Sequence, residues 1–332
     1  MITTHTLGQV ADLSNVSSLK KSVTTDLLTL HTASVMDQVA FNHQLFGLDR
    51  VSSEKTNCTE WYDSCTYYDA LTPDTTLKPE LHLDSLLSQI DQAKKAGFNY
   101  KPAIIGPVSL LQTLRFESDE QRLQYLDVIL PLYTKLLAKL AHSELTWLQL
   151  DEAMLTQPLT KEWRHAYRAG YFKLQRSPVK LMVATSCGTL NQNLQLACQL
   201  PVQGLHVDAL ASRQMMPAVD WLPRHKVLSL GVIDGQELAK SDLTGLLTRL
   251  KPVAERLKER LWLAPNVAFV HLPTETSTAD TKQQNAFEMQ KIRELNSLAQ
   301  ALKDGEFKQP IRLFRSNTSD DVKQPLDKAK VA

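Results

Sequence analysis

The chain has 332 residues, 43 % of them hydrophobic, with 37 basic residues against 36 acidic ones and four cysteines. This composition is that of a globular protein, and its balanced charge gives no sequence-wide field to attract nucleic acid or an anionic membrane. Too few cysteines for a disulfide framework, no signal peptide and no apolar run long enough to cross a bilayer together predict a cytoplasmic protein.

Short β-branched and leucine-rich runs alternate along the chain with longer segments of helical periodicity, a pattern typical of parallel βαβ units. Eight such strands close more readily into a barrel than into an open doubly wound sheet. We therefore predict an α/β fold, a single-domain (β/α)8 TIM barrel. The predicted strands are 3–8, 27–31, 102–108, 146–151, 179–185, 204–208, 227–232 and 261–270. The clearest helical segments are 83–96, 119–141, 161–175, 189–200 and 241–261.

Two stretches break this alternation. Residues 49–78 are polar and aromatic without a strong period, and their length indicates an inserted functional loop. The stretch after residue 305 is rich in Lys, Asp and Ser, which predicts a flexible tail over 306–332. The barrel itself is expected to occupy residues 1–305.

Ligands of parallel barrels bind where the strands end, so polar residues that follow the apolar runs are the candidate site residues. Asp151 and Glu152 follow the fourth run and face opposite ways, so only one can point into the mouth of the barrel while the other caps a helix. Thr185 follows the fifth run. His206 and Asp208 share one face of the sixth, as ligand contacts or as a buried histidine satisfied by its neighbour.

Two further groups of side chains are weaker candidates. Trp61 and Asp63 lie in an aromatic, acidic stretch that could cover a flat ligand or could anchor the loop to the barrel rim. Lys20 and Lys21 could hold an anionic tail, or could be ordinary solvated charges.

Six segments resemble, in order and spacing, the amino-terminal domain of the cobalamin-independent methionine synthase family, and the resemblance covers residues 1 to about 305. It adds Asn266 and His271 as candidates, because they lie where that family has a serine-rich segment followed by a histidine. The matching segments are HTLG (5–8), KPAIIGPVSLL (101–111), DVILPLYTKLLAKLA (127–141), WLQLDEAML (147–155), LPVQGLHVD (200–208) and LSLGVIDG (228–235).

The resemblance implies an activity that this domain does not perform alone. Enzymes of the family have two barrels and transfer a methyl group from 5-methyltetrahydrofolate polyglutamate to homocysteine, with zinc held by a histidine, two cysteines and a glutamate of the carboxy-terminal barrel. We therefore expect no metal and no cofactor in this chain. The family's GFPRxG segment is absent after Gly8, and of the helix that follows it only Lys20 and Lys21 remain as a weak folate-tail site.

The leading hypothesis is a stand-alone homologue of the amino-terminal domain, linked to methionine biosynthesis, inactive alone and partnered by a separately encoded catalytic barrel. A folate or another small molecule is its expected ligand. The alternative is a ligand-binding or regulatory barrel that has lost the methyl-transfer role. A third hypothesis is an independent enzyme that uses Asp151, Glu152, His206 and Asp208 on an unrelated small molecule.

Overall fold

The computed structural model describes residues 2–8, 25–30, 35–49, 58–60, 67–186, 188–210, 213–269 and 280–307. In these residues one sheet of eight strands forms the centre of the molecule, and a two-stranded antiparallel hairpin lies in the predicted inserted loop. The central strands are β1 (Thr3–Thr4), β2 (Leu28–Leu30), β5 (Tyr100–Ile105), β6 (Trp147–Asp151), β7 (Lys180–Ala184), β8 (Gly204–Asp208), β9 (Val227–Ile233) and β10 (Leu261–Pro265). The hairpin consists of β3 (Cys58–Glu60) and β4 (Tyr67–Asp69).

The central sheet curls into a barrel. Its strand order is β1-β10-β9-β8-β7-β6-β5-β2, and every neighbouring pair is parallel. A parallel bridge between His5 and Leu27 joins the two ends of this order, with the Thr6 N–H donating to the Leu27 carbonyl at 3.3 Å. The predicted (β/α)8 barrel is therefore confirmed.

Helices cover the outside of the barrel, and polar side chains define where several of them begin. Thr160 accepts a hydrogen bond from the Trp163 N–H, and Asp242 accepts one from the Gly245 N–H, so both act as N-caps. The helices of the described residues are α1 (Val35–Leu45), α2 (Asp84–Ala96), α3 (Pro107–Gln112), α4 (Asp119–Gln124), α5 (Leu126–Leu140), α6 (Lys161–Leu174), α7 (Leu194–Gln199), α8 (Met215–Trp221), α9 (Leu243–Leu257) and α10 (Asp280–Asp304). None of these helices is long and apolar enough to span a membrane.

Some predicted bounds are wrong for identifiable reasons. The strand predicted over 102–108 ends at Ile105, because Gly106 and Pro107 begin α3 and proline suits the first turn of a helix. The strand predicted over 3–8 is only Thr3–Thr4, because side chains rather than a neighbouring strand bind the carbonyls of Thr6 and Leu7. The long helix predicted over 119–141 is two helices, α4 and α5.

The main hydrophobic core lies between the sheet and the helices. Alternate residues of the strands point outward into it, and the buried leucines and valines of β6, β7, β8 and β9 all belong to one cluster. By the period of two, the neighbouring positions of the same strands point into the barrel lumen. Gln149, Asp151, His206, Asp208 and Ser229 occupy such inward positions.

Candidate functional site at the barrel mouth

A layer of polar side chains fills the middle of the lumen. Its members come from six strand segments that are not all neighbours, so their side chains can meet only across the barrel interior. Lumens of this fold are usually filled by branched apolar residues, which makes a polar layer a candidate functional feature. The members, all exposed by 2 % or less, are His5, Thr29, Lys101, Gln149, His206 and Ser229.

Lys101 connects several members of this polar layer. Its Nζ donates to the Thr29 hydroxyl at 2.6 Å, to the Thr6 carbonyl at 3.2 Å and to Oε1 of Gln149. Burial lowers the pKa of Lys101 to about 7, and the Asp151 carboxylate opposes that shift. The amide of Gln149 then donates to the Leu7 carbonyl at 3.0 Å and to Oδ1 of Asp151 at 2.7 Å. The lysine is thereby linked through one amide to the mouth of the barrel.

Two histidines share a serine on the other side of the layer. His5 Nδ1 lies 2.9 Å from the Thr6 carbonyl and His5 Nε2 lies 2.6 Å from the Ser229 hydroxyl, which is also 2.8 Å from His206 Nδ1. Burial lowers the pKa of His206 to about 3 and that of His5 well below its usual value, so both rings are neutral at pH 7. A carbonyl can only accept, so His5 donates from Nδ1, the serine donates to His5 Nε2, and His206 donates from Nδ1 to the serine.

This arrangement corrects the predicted pairing of His206 with Asp208. Asp208 Oδ1 accepts from the Leu210 N–H at 2.8 Å, and Oδ2 lies 3.4 Å from the Asn266 side-chain amide. Oδ1 of Asn266 accepts from the Gly235 N–H at 2.9 Å. Asp208 and Asn266 therefore tie β8 and β10 to the loop after β9 at the rim.

Asp151 is the least buried of the carboxylates placed at this rim. Besides the Gln149 amide on Oδ1, its Oδ2 accepts from the side-chain amide of Gln38, on α1, at 2.7 Å. Two neutral amides thus fix the plane of the carboxylate. A preoriented carboxylate of this kind suits a ligand that presents N–H or O–H donors.

Glu152 does not belong to the mouth, which corrects its inclusion among the candidates. As predicted, it faces the opposite way from Asp151. It is fully buried against α3 and α6, where it accepts from the N–H groups of Val108 and Ser109 and from the hydroxyls of Tyr167 and Tyr171. Because it receives the first N–H groups of α3, which follows the neighbouring strand β5, rather than those of the next helix, its role is structural.

Thr185 lies at the end of β7, and its hydroxyl donates to the His206 carbonyl at 2.9 Å. It therefore holds two strands together at the rim. The candidates Trp61, Asp63, His271, Lys20 and Lys21 fall outside the described residues. Their assignment stays a prediction.

Sequence reasoning missed six residues of the polar layer and its contacts: His5, Thr29, Gln38, Lys101, Gln149 and Ser229. A usable signal exists for Gln149, which lies two residues before Asp151 and so shares its inward face. Lys101 lies near the start of an apolar strand, a position where the sequence predicts a lysine exposed to solvent. Its side chain is fully buried instead. No periodicity connects His5 with Ser229, 224 positions away.

Gly231, on β9, lies in close contact with the backbone of Asn266 at the rim. A Cβ at this position would lie 2.5 Å from Cα of Asn266. We expect Gly231→Ala to push Asn266 away from Asp208 and to lower the free energy of unfolding by about 1–3 kcal/mol, as overpacking does. Urea unfolding measures this change.

Gly170 gives the matched control for that substitution. It lies inside α6, and a Cβ there would meet its nearest neighbour at 3.6 Å, an ordinary contact. Gly170→Ala should stabilise the protein by about 0.5–1 kcal/mol because alanine favours the helix. Equal stability of the two variants would contradict the close approach at Gly231.

Of the residues that the structure describes, no three His, Cys, Asp or Glu side chains lie close enough together to hold a metal ion. His206 and Asp208 each bind neighbours through hydrogen bonds within the protein instead. This part of the chain does not fit a zinc centre.

Comparison with known proteins agrees with the barrel and with the family resemblance. A family profile described as the N-terminal domain of cobalamin-independent synthase matches residues 34–258. The 5-methyltetrahydropteroyltriglutamate–homocysteine methyltransferase of Saccharophagus degradans is 38 % identical over 263 residues, which cover 76 % of this chain and 34 % of that protein. The chain thus spans about a third of the length of this curated relative.

Solved structures show the same fold at low sequence identity. A B12-independent methionine synthase from Shewanella sp. W3-18-1, solved with selenomethionine, matches with a TM-score of 0.68 at 13 % identity, covering 92 % of this chain and 98 % of that one. A methyltransferase from Methanosarcina mazei matches with a TM-score of 0.57 at 13 % identity, covering 92 % and 94 %. The profile match extends over more than half of the sequence, and the chain therefore belongs to the cobalamin-independent methionine synthase family, as its amino-terminal domain.

Proposed function

We propose that this barrel acts in methionine biosynthesis as the partner of a zinc-bearing catalytic barrel. Together they would transfer a methyl group from 5-methyltetrahydropteroyltriglutamate to homocysteine. The observation that carries the proposal is the 38 % identity to a methyltransferase named for that reaction, of which this chain spans 34 %.

The contribution of this barrel would be to bind part of the methyl donor at its mouth. Asp151 is held by the amides of Gln38 and Gln149, so its carboxylate needs little reorganisation to accept hydrogen bonds from ring or amide N–H groups of a folate. A hydrogen bond to a charged group contributes about 1.5–3 kcal/mol, which corresponds to roughly 10- to 100-fold in affinity.

The geometry disfavours an independent enzyme built on Asp151, Glu152, His206 and Asp208. Glu152 lies on the other face of the sheet from Asp151, buried among the helices. His206 has a pKa lowered to about 3, so it is too weak a base to take up a proton near pH 7.

The proposal is tested with the full chain, a zinc-loaded catalytic barrel from a methionine synthase, homocysteine and 5-methyltetrahydropteroyltriglutamate. We expect methionine formation to require both barrels, and calorimetry to show the folate binding. Asp151→Asn should weaken that binding about tenfold or more, because an asparagine loses the charge and one acceptor oxygen.

Asp127→Asn is the matched control, because Asp127 lies on α5 with its side chain 78 % exposed and pairs with Lys173 of α6 rather than with any residue of the polar layer. It should leave folate affinity unchanged within about twofold. Failure of the chain to bind the folate or to raise methionine formation would overturn the proposal. Methionine formation by the isolated chain would also overturn it and restore the independent enzyme.

A further inference from the structure

A cavity of about 380 Å³ lies at the amino-terminal end of the barrel, opposite the mouth that carries Asp151. Parallel strands all begin at the same end of a barrel. Four of the residues that line this cavity are the first or second residues of their strands: Thr3, Tyr100, Trp147 and Trp262. Small-molecule sites in proteins have volumes from about 300 Å³ upward. The cavity is therefore large enough for a small organic ligand, and it is separate from the site described above.

Aromatic side chains form much of the wall of this cavity, called the basal cavity below. The indole rings of Trp147 and Trp262 have centroids 5.0 Å apart and planes inclined at 64°, so they meet edge to face. Trp262 also contacts the His5 ring, with 5.5 Å between the centroids, so it lies between the polar layer and the basal cavity. Phe98 and Tyr100 add two further rings. The basal cavity therefore offers a ligand a largely aromatic surface.

The charged side chains that line the basal cavity are acidic. Asp26 and Glu144 belong to its lining, and no lysine, arginine or histidine does so among the described residues. Glu144 is paired with Lys94 at 2.6 Å. Oδ2 of Asp26 accepts from the N–H and the hydroxyl of Thr4, at 2.8 and 3.2 Å, and both of these donors are neutral. The basal cavity therefore combines electron-rich rings with a carboxylate that is held in place by uncharged groups.

An ammonium group of the protein already lies against one of these rings. Nζ of Lys180 lies over the Trp147 ring, 5.6 Å from its centroid, which is within the distance at which the negative face of an indole attracts a cation. Lys180 does not itself line the basal cavity. A ligand that uses both the rings and the carboxylate of the cavity has an apolar body and a positive charge.

We propose that the basal cavity binds a small alkylated ammonium ion, with its apolar substituents against Trp147 and Trp262 and its charge facing Asp26. Aromatic rings attract a cation through their quadrupole, and groups of such rings recognise quaternary ammonium ligands in other proteins. Water that leaves the cavity on binding no longer screens the ammonium from the carboxylate, which strengthens their attraction. This site goes beyond the proposed function and does not depend on it, since the basal cavity and Asp151 lie at opposite ends of the barrel.

NMR of the tryptophan indole N–H groups tests the proposal on the full chain, with choline as the probe. The five tryptophans are assigned by replacing each in turn with phenylalanine. We expect choline to bind with a dissociation constant of about 1–10 mM and to shift the indole signals of Trp147 and Trp262 in a saturable way. The signals of Trp163 and Trp221, on α6 and α8, should not shift. The uncharged carbon analogue of choline, 3,3-dimethyl-1-butanol, should bind at least about fivefold more weakly.

Asp26→Asn removes the charge but keeps an oxygen that can accept from Thr4, so it should weaken choline binding about threefold or more and leave the binding of the alcohol unchanged. Asp127→Asn, on α5 and outside the basal cavity, removes the same charge and should leave both affinities unchanged. Equal affinities of wild type for choline and the alcohol would overturn the proposal even if Asp26→Asn does not fold. Equal effects of the two substitutions, or no saturation of either indole shift by about 50 mM choline, would also overturn it.

Discussion

Replacing Glu152 with alanine is expected to lower the free energy of unfolding by about 3–5 kcal/mol. The carboxylate accepts four hydrogen bonds, from the N–H groups of Val108 and Ser109 at 3.2 and 2.8 Å and from the hydroxyls of Tyr167 and Tyr171 at 3.0 and 2.8 Å. Alanine removes the acceptor of these four buried hydrogen bonds and opens a cavity. Urea denaturation followed by circular dichroism measures the loss.

Two other substitutions separate hydrogen bonding from packing. Glu152→Gln keeps the volume and one acceptor oxygen but presents N–H groups to donors, so we expect a loss between that of alanine and wild type. Glu162→Ala, in the exposed first turn of α6, should change stability by less than about 0.5 kcal/mol. A Glu152→Ala variant as stable as Glu162→Ala would show that the four hydrogen bonds contribute little.

The sequence predicts the barrel well because each strand shows its own pattern of buried apolar residues. Alternating positions such as Leu148 and Leu150, or Leu228 and Leu230, are outward-facing core residues, and eight such runs suffice to identify the fold. The ends of the strands are less predictable where another residue preference interrupts the apolar run. At Pro107 the preference of proline for the first turn of a helix ends the strand. At β1 the competing contacts come from Lys101, 95 positions from Thr6, so no local pattern could reveal them.

The candidate site was predictable only in part for the same reason. The period of two places Asp151 and Glu152 on opposite faces, but it cannot say that the helices α3 and α6 supply four donors to Glu152. The polar layer depends on contacts between residues as distant as Gln149 and Leu7, 142 positions apart. Such contacts exist only once the barrel has closed.

Lys101 should make the stability of the protein rise with pH just above neutrality. In the folded state burial lowers the pKa of Lys101 to about 7 from 10.5, whereas an unfolded chain restores the higher value. Between these two pH values unfolding takes up a proton, so the free energy of unfolding increases by about 1.4 kcal/mol per pH unit. Lys101→Met keeps a similar chain length without the charge, and it should flatten this rise between pH 7 and pH 8.

Lys226 allows a matched comparison, because it is also buried and donates to two backbone carbonyls, those of Cys198 and Leu200. Burial lowers its pKa only to about 8, so Lys226→Met should keep the rise from pH 7 to pH 8 and lose part of it above pH 8. Urea unfolding of the three proteins at half-unit steps from pH 7 to pH 9 distinguishes the two lysines. The free energies of unfolding of Lys101→Met and wild type could instead rise in parallel over that range. That result would mean that Lys101 stays charged in the lumen, with water or the Asp151 carboxylate compensating its burial.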